Sequence, residues 1–357
     1  MDQGLIRKRL LPAMAFACLG AGMIGFDPPR PYVFPELKHF PVMPLAHDNQ
    51  VTVEGAELGR HLFYDPILSL DSTMSCASCH RQEVAFSDAP NRFSEGLGGE
   101  RLARNTMPLF NLAWYSSMFW DGRIGSLEDQ VFHPVRAHDE MNLSWPEAEE
   151  RVNRNAFYRQ MFKLAFGEVE IDSILIARAV AQFERTLISI NSKYDRVLRG
   201  EDHFTSDEYE GFVLMNDQTK GDCLHCHTTD SDALGTTGLL SNNGLFAARS
   251  PSDYADPGHG GVTFRSYDYG FFRIPSLRNV TLTAPYMHDG RFNTLEDVLK
   301  FYSAGVHAAY NIDPKMGHGN QRGAQLTIVE QEQVIAFLKT LTDSSFITNR
   351  AFSDPLQ

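Results

Sequence analysis

The chain has 357 residues, with 45 Asp and Glu against 32 Lys and Arg, and a formal charge of −13 at neutral pH. That acidic surplus, with no basic run beyond the first residues, argues against nucleic acid as a partner and favours a small neutral or positively charged one. The apolar fraction of 43% is enough for ordinary cores, and past the N-terminal stretch no segment could span a membrane.

The N-terminus reads as an export signal. Arg7, Lys8 and Arg9 precede an uncharged run, Leu10 to Phe26, rich in Ala, Leu, Met and Gly. A core helix is the competing reading, but no polar face interrupts the run. Cys18 sits where a lipoprotein signal would be cut and acylated, and simple cleavage or a retained anchor stays open beside that lipid anchor. Residues 1–26 are therefore expected to be a signal peptide or lipoprotein signal, which implies the periplasm, as a soluble or lipid-anchored protein. Removing them leaves about 330 residues, a length that suggests two domains. Residues 27–50, with Pro28, Pro29, Pro31, Pro35, Pro41 and Pro44, read as an extended tether.

Helical signals dominate from there. Val53 to Tyr64 has a helical pattern. Ser126-Leu127-Glu128-Asp129 fits an N-cap whose hydroxyl and third-position carboxylate satisfy free amides reciprocally. Ser144-Trp145-Pro146-Glu147 repeats that logic with proline in the first turn. Asp172 opens a helix whose Ile176, Val180, Phe183 and Leu187 fall on one stripe. Ile190 to Phe204 reads as the joint between domains. Residues 228–275, rich in Gly, Ser, Asp and Asn, read as a long irregular loop. Thr294 and Thr327 each start another helix, the last carrying Val334, Ile335, Leu338 and Leu341 to about Thr342. No alternating strand pattern of useful length occurs.

Two short runs carry the chemistry. Cys76-Ala77-Ser78-Cys79-His80 and Cys223-Leu224-His225-Cys226-His227 are both C-x-x-C-H, the attachment signature of c-type haem. The two thiols can form thioethers to the haem vinyls, and the adjoining histidine is then placed under the iron. A structural zinc site fits poorly, because a zinc ribbon needs its pairs about 15–20 residues apart. A thioredoxin-like dithiol needs no following histidine. The expected fold is mainly α, two tandem cytochrome c-like domains over 51–200 and 201–345. Each encloses one covalently bound haem c, with long irregular loops. The last helix is a candidate to pack back on the N-terminal domain, and 346–357 form a tail.

Three further runs go beyond haem attachment: Phe119-Trp120-Asp121-Gly122-Arg123, Arg273-Ile274-Pro275-Ser276-Leu277-Arg278-Asn279-Val280, and Thr283-Ala284-Pro285-Tyr286-Met287-His288-Asp289-Gly290. Together with both haem motifs they closely resemble the bacterial di-haem cytochrome c peroxidase family, which includes the MauG-type enzymes. The resemblance spans roughly residues 50–345. It implies that the N-terminal haem meets hydrogen peroxide and the C-terminal haem handles electrons. His80 and His227 would be the proximal ligands. Glu140 matches the distal carboxylate that moves peroxide's proton. Gln130 matches a second distal position, and His133-Pro134 lies in the same segment. Trp120 matches the aromatic relay between the haems, with core packing as its plainer role. Asn105, Thr283 and Pro285 match a calcium site of few acidic ligands.

Two departures matter within that resemblance. Typical members carry a methionine 14 residues after His288; this chain has Tyr302, as the MauG type does. A phenolate favours oxidised iron, whereas a thioether raises the potential. Met316 and His307 stay open as alternative ligands. Typical members also keep a histidine after the first haem motif that caps the resting iron. Residues 81–105 contain none, so an iron open to peroxide without prior reduction is expected. Where the MauG type has a tryptophan at its protein-substrate surface, this chain has Gly221. The expected activity is reduction of hydrogen peroxide to water with electrons from a small cytochrome c or cupredoxin. The alternatives are a peroxide-dependent oxidase acting on a protein substrate and a non-catalytic electron carrier. Relatives are often homodimers, though no residue here marks an interface. His138 and His133 are expected to line the distal side. His225 is expected to point outward, and His39, His47, His61, His203, His259 and His318 to be structural or on the surface.

Overall fold

The computed structural model describes residues 28–44, 46–167, 169–229, 234–316 and 323–357. The expected export segment with Cys18, and His318, lie outside them. The described chain is mainly helical: α1 (Val53–Tyr64), α2 (Cys76–Cys79), α3 (Leu127–Arg136), α4 (Trp145–Arg154), α5 (Ala156–Phe166), α6 (Ser173–Thr186), α7 (Lys193–Leu198), α8 (Ser206–Asn216), α9 (Gly260–Thr263), α10 (Leu295–Lys300), α11 (Ile328–Thr340) and α12 (Ser344–Ile347). Between α8 and α10, β1 (Leu240–Ser241) pairs antiparallel with β2 (Phe272–Arg273), Leu240 opposite Arg273. This short ladder is a correction to the strand-free loop expected over 228–275. Two residues a side are too few to leave an alternating pattern.

Local chemistry explains most helix bounds. The Thr52 hydroxyl accepts from Gly55 N at 3.0 Å and starts α1. Asp172 accepts from Leu175 N at 2.9 Å and starts α6. Ser126, Thr294 and Thr327 cap as expected, whereas the Ser144 side chain makes no cap bond, although α4 still begins at Trp145 with Pro146 in its first turn. α5, α7 and α8 were not anticipated as separate helices. Asn155, Ser192 and Thr205 cap them.

Each half is built on a closely packed helix pair. In the first, α1 lies on α6 so closely that a Cβ on Gly59 would sit 1.9 Å from the Ala179 carbonyl oxygen. In the second, α8 lies on α11, and a Cβ on Gly211 would sit 2.0 Å from the Gln333 carbonyl oxygen. Leu58, Leu62, Val131, Val135, Ile176 and Val180 centre the first core. Met215, Leu224, Val334, Phe337, Leu338 and Leu341 centre the second.

The two ends of the described chain bind the halves together. Within the expected tether, described residues run extended but docked: Tyr32 N donates to Val51 O at 3.0 Å, and Trp114 Nε1 donates to Pro41 O at 2.9 Å. Phe40 packs against the second core. The last long helix, α11, stays in its own half. The segment that returns to the first half is α12 and the tail, through Phe346 and Phe352, which join Phe63, Phe86, Phe110 and Phe183 in one aromatic cluster. Asp343 fixes that crossing, accepting from Ile190 N and Asn191 N, each at 2.9 Å.

Candidate functional site

The first C-x-x-C-H run winds into α2, and His80 N donates to Cys76 O at 3.0 Å, which sets the ring beside both thiols. His80 Nδ1 lies 2.8 Å from the Phe86 carbonyl oxygen. A carbonyl can only accept, so Nδ1 carries the proton and Nε2 keeps its lone pair. Ala85 and Phe86 both adopt left-handed backbone, with φ of 56° and 58°, and this turn aims the carbonyl at the ring. His227 repeats the arrangement, with Nδ1 at 2.9 Å from Pro275 O. Burial lowers both imidazoles' pKa, that of His227 to about 4, so both rings are neutral and ligand-competent. An imidazole held by a backbone carbonyl at one nitrogen and bare at the other is the usual state of a metal-binding histidine.

His80, Cys76 and Cys79 line a cavity of about 860 Å³, and Gln130, Pro134 and Glu140 line it with them. The segment carrying Glu140 is clasped to the loop after the motif. Leu97 N donates to Glu140 O at 3.0 Å, and Gly96 is packed so tightly that a Cβ would sit 1.8 Å from Asp139 O. Burial pushes the Glu140 carboxyl up to about 7; Asp139 adds to the rise and Arg123 opposes it. A carboxyl poised near neutrality, in a cavity and free of a structural ion pair among the described residues, can take and return a proton. Two expectations fail here. His133 is not on the cavity wall: its ring packs on Phe119, centroids 5.4 Å apart. His138 is 74% exposed, with Nε2 3.4 Å from Glu100. The helical period turns His133 aside while placing Gln130 and Pro134 inward.

A second cavity, of about 240 Å³, is lined by Cys223, Cys226, His227 and Tyr302. Met316 lines it as well, but His307 does not and is exposed. Tyr302 sits on a π-helical turn, Phe301–Gly305, that extends α10. Its hydroxyl accepts from Asn243 Nδ2 at 3.0 Å. Burial pushes the phenol up to about 12, with Asn243 opposing, so its anionic form requires a cation beside it. Thr283 and Pro285 line this cavity, and Asn105 lines both cavities. The Asn105 amide donates to Arg92 O at 3.0 Å, so its Nδ2 is engaged.

Trp120, Asn105, Pro108, Arg273 and His288 form the wall common to both cavities. Trp120 Nε1 donates to Asn105 O at 2.8 Å, and Asn105 N donates to His288 O at 2.8 Å. Arg104 braces the turn after Trp120: it donates to Asp121 at 2.6 Å and to both Asp256 oxygens at 2.8 and 2.7 Å. His288 stacks flat on Phe272, centroids 3.6 Å apart.

The cavity walls carry a polar deficit that a haem would meet. Buried Arg273 donates to Ser117 O at 3.3 Å and to Met107 Sδ at 3.2 Å, with its Nε left without a hydrogen bond among the described residues. His288 Nε2 makes no hydrogen bond among the described residues, its nearest carboxylate oxygen, on Asp256, lying 4.0 Å away. An anionic group placed between the cavities would satisfy both. None of the four motif cysteines is in a disulfide. The residues present therefore fit two haems, one per cavity, each with a neutral histidine and two thiols.

The sequence reading assigned no role to Arg104, Asn243 or Glu184. Arg104 and Asn243 act through contacts with residues distant in the chain, and only the strictly local part of such pairs leaves a spacing signal.

A helical two-module protein with a paired, histidine-based redox site is the class that these features define. A family model described as di-haem cytochrome c peroxidase matches residues 53–203. The methylamine utilization protein MauG of Methylorubrum extorquens is 36% identical over 304 residues, 84% of this chain and 81% of that protein. The cytochrome c551 peroxidase of Nitrosomonas europaea is 33% identical, over 85% of this chain and 84% of that one. The crystal structure of a MauG-like protein associated with microbial copper homeostasis superposes with a TM-score of 0.82 at 34% identity, over 91% of this chain and all of that one. The chain belongs to the di-haem cytochrome c peroxidase family.

Proposed function

We propose that the protein is an exported di-haem peroxidase that reduces hydrogen peroxide to water with electrons from a small redox protein. The observation that carries this reading is the placement of Glu140, Gln130 and His80 on one cavity whose wall, through Trp120, is also the wall of a second histidine-bearing cavity. Haem bound in each cavity supplies iron for O–O cleavage and electron storage.

The chain's own residues supply the rest. Cys76 and Cys79 would anchor one haem and Cys223 and Cys226 the other as thioethers, with residues 51–200 and 201–345 as the enclosing domains. His80 and His227 present Nε2 as ligands. Glu140, near its midpoint at neutral pH, takes a proton from bound peroxide and returns it to the departing oxygen. Gln130 offers a hydrogen bond on the same wall. Trp120, held by Asn105, bridges the sites. Reduction of each peroxide consumes two electrons and two protons and yields two waters. Asn105, Thr283 and Pro285 fit a calcium ion at the junction, with Asn105 Oδ1 as the side-chain donor. Export to the periplasm, with Cys18 as lipid anchor or lost with the signal, accords with haem attachment outside the cytoplasm. Homodimer formation belongs to the same proposal.

Tyr302 on the second cavity favours a second reading, a MauG-like oxidase that uses peroxide to modify a partner protein. Gly221 in place of an exit tryptophan argues that any such substrate differs. Steady-state assay of the haem-loaded protein with peroxide and reduced cytochrome c separates the readings. Brisk turnover supports the peroxidase. A long-lived oxidised state that ignores cytochrome c supports the oxidase, and no reaction with peroxide leaves only an electron carrier.

A further inference from the structure

A second carboxyl faces the first cavity and has no part in the scheme above. Glu184 lies in the last turn of α6, 5% exposed, on the wall beside Cys76, Val180 and Phe63. Its Oε2 is fully buried and meets no hydrogen-bond partner among the described residues. Its neighbour Arg185 does not neutralise it, because that guanidinium is held by both oxygens of Glu128 from α3, at 2.6 and 2.9 Å. From α2 the facing group is Cys76, whose thiol is pushed up by the Glu184 charge after burial itself. From α1 it is the uncharged Phe63 ring. Glu140, on the segment after α3, shares the cavity and also acts on Cys76.

A buried carboxyl with no donor remains neutral unless positive charge is placed beside it. Arg104, Arg123 and Arg273 line other parts of the same cavity. The charges that act on Glu184 are Arg185, which favours ionisation, and Glu128, which opposes it, so a cationic occupant of the cavity would add positive charge beside it. We propose that Glu184 is a redox-linked protonation site, binding a proton when the first haem gains an electron and releasing it when that electron leaves. The step balances simply: one electron enters from the donor, one proton enters from solvent, and the only bond formed is the carboxyl O–H. The inference rests on the reading that this cavity holds a c-type haem. It gives the enzyme a buried store for protons that its reaction must consume. Burial pushes the group up to about 8, with Arg185 opposing, which sets the range where the coupling shows.

The test is spectroelectrochemical titration of the full-length, haem-loaded protein between about pH 6 and pH 9. The first haem's midpoint potential is expected to fall as pH rises. Glu184→Gln should lose the part of that dependence above neutrality, Glu184→Asp should keep it, and the second haem should be unaffected. A reduced-minus-oxidised infrared difference spectrum should show a protonated-carboxyl band that Glu184→Gln lacks. A Glu184→Gln profile identical to wild type would overturn the proposal. So would a wild-type difference spectrum without the carboxyl band, a result that needs no variant to fold. A protein produced together with the haem-attachment machinery that shows no haem absorption would instead defeat the reading of the cavity, and the redox role of Glu184 with it.

Discussion

The Trp120 indole donates its Nε1–H to the Asn105 carbonyl at 2.8 Å, and both residues belong to the wall common to the two cavities. The bond fixes the ring plane on the wall where, on the proposed function, an electron passes between the sites. Trp120→Phe keeps an aromatic body but loses the donor, leaving a part-buried carbonyl unpaired, at a cost of about 1–3 kcal/mol. Peroxide should still react at the first site, while oxidation of the second haem is slowed. Stopped-flow absorbance at the bands of each haem measures both.

On the proposed function Glu140 governs the pH profile. Its carboxyl sits near 7 because it is buried, and the ionised form is the one that accepts peroxide's proton. The second-order rate with peroxide should therefore rise with pH through about 7 and level above it. Glu140→Gln should lower it about 10²–10⁴-fold and flatten the profile. Rates measured across pH in both proteins decide this.

On the proposed function Tyr302 sets the second site's potential. Tyr302→Met replaces a phenol oxygen with a thioether, which favours reduced iron, so the midpoint potential should rise. Asn243 would lose its 3.0 Å acceptor at the same time. Redox potentiometry of the second haem is the measurement, and an unchanged potential would return Met316 to consideration as ligand.

Phe346 tests the return of the tail. Its fully buried ring touches Phe86, Phe110 and Phe352, with centroids 5.5–6.2 Å away. Phe346→Ala should cost about 3–5 kcal/mol. Chemical denaturation with a probe in the first half should report that loss, because the cluster there is completed by the tail.

Much of this was legible in the chain because the signals were local. α1 follows from the helical pattern of Val53 to Tyr64, and α6 from Asp172 with its apolar stripe. The C-x-x-C-H runs named their own histidines. Long-range contacts left no such trace. Trp114 reaches Pro41, so the expected tether is docked, and Phe346 reaches Phe86, so the tail is structural. His138 sits two residues from Glu140 in sequence, yet faces solvent, in a turn that Glu140 N and Asn142 N close on Ala137 O, each at 3.0 Å. Tyr302 was found by counting from a motif; the π-turn and the Asn243 contact that present it are set by tertiary packing.

The most direct test of the central claim is electron paramagnetic resonance of the oxidised, haem-loaded protein before and after one equivalent of peroxide, with no reductant added. One high-spin centre open on its distal side and one low-spin centre, the first lost on adding peroxide, is the predicted result. Two low-spin centres that peroxide leaves unchanged would contradict it.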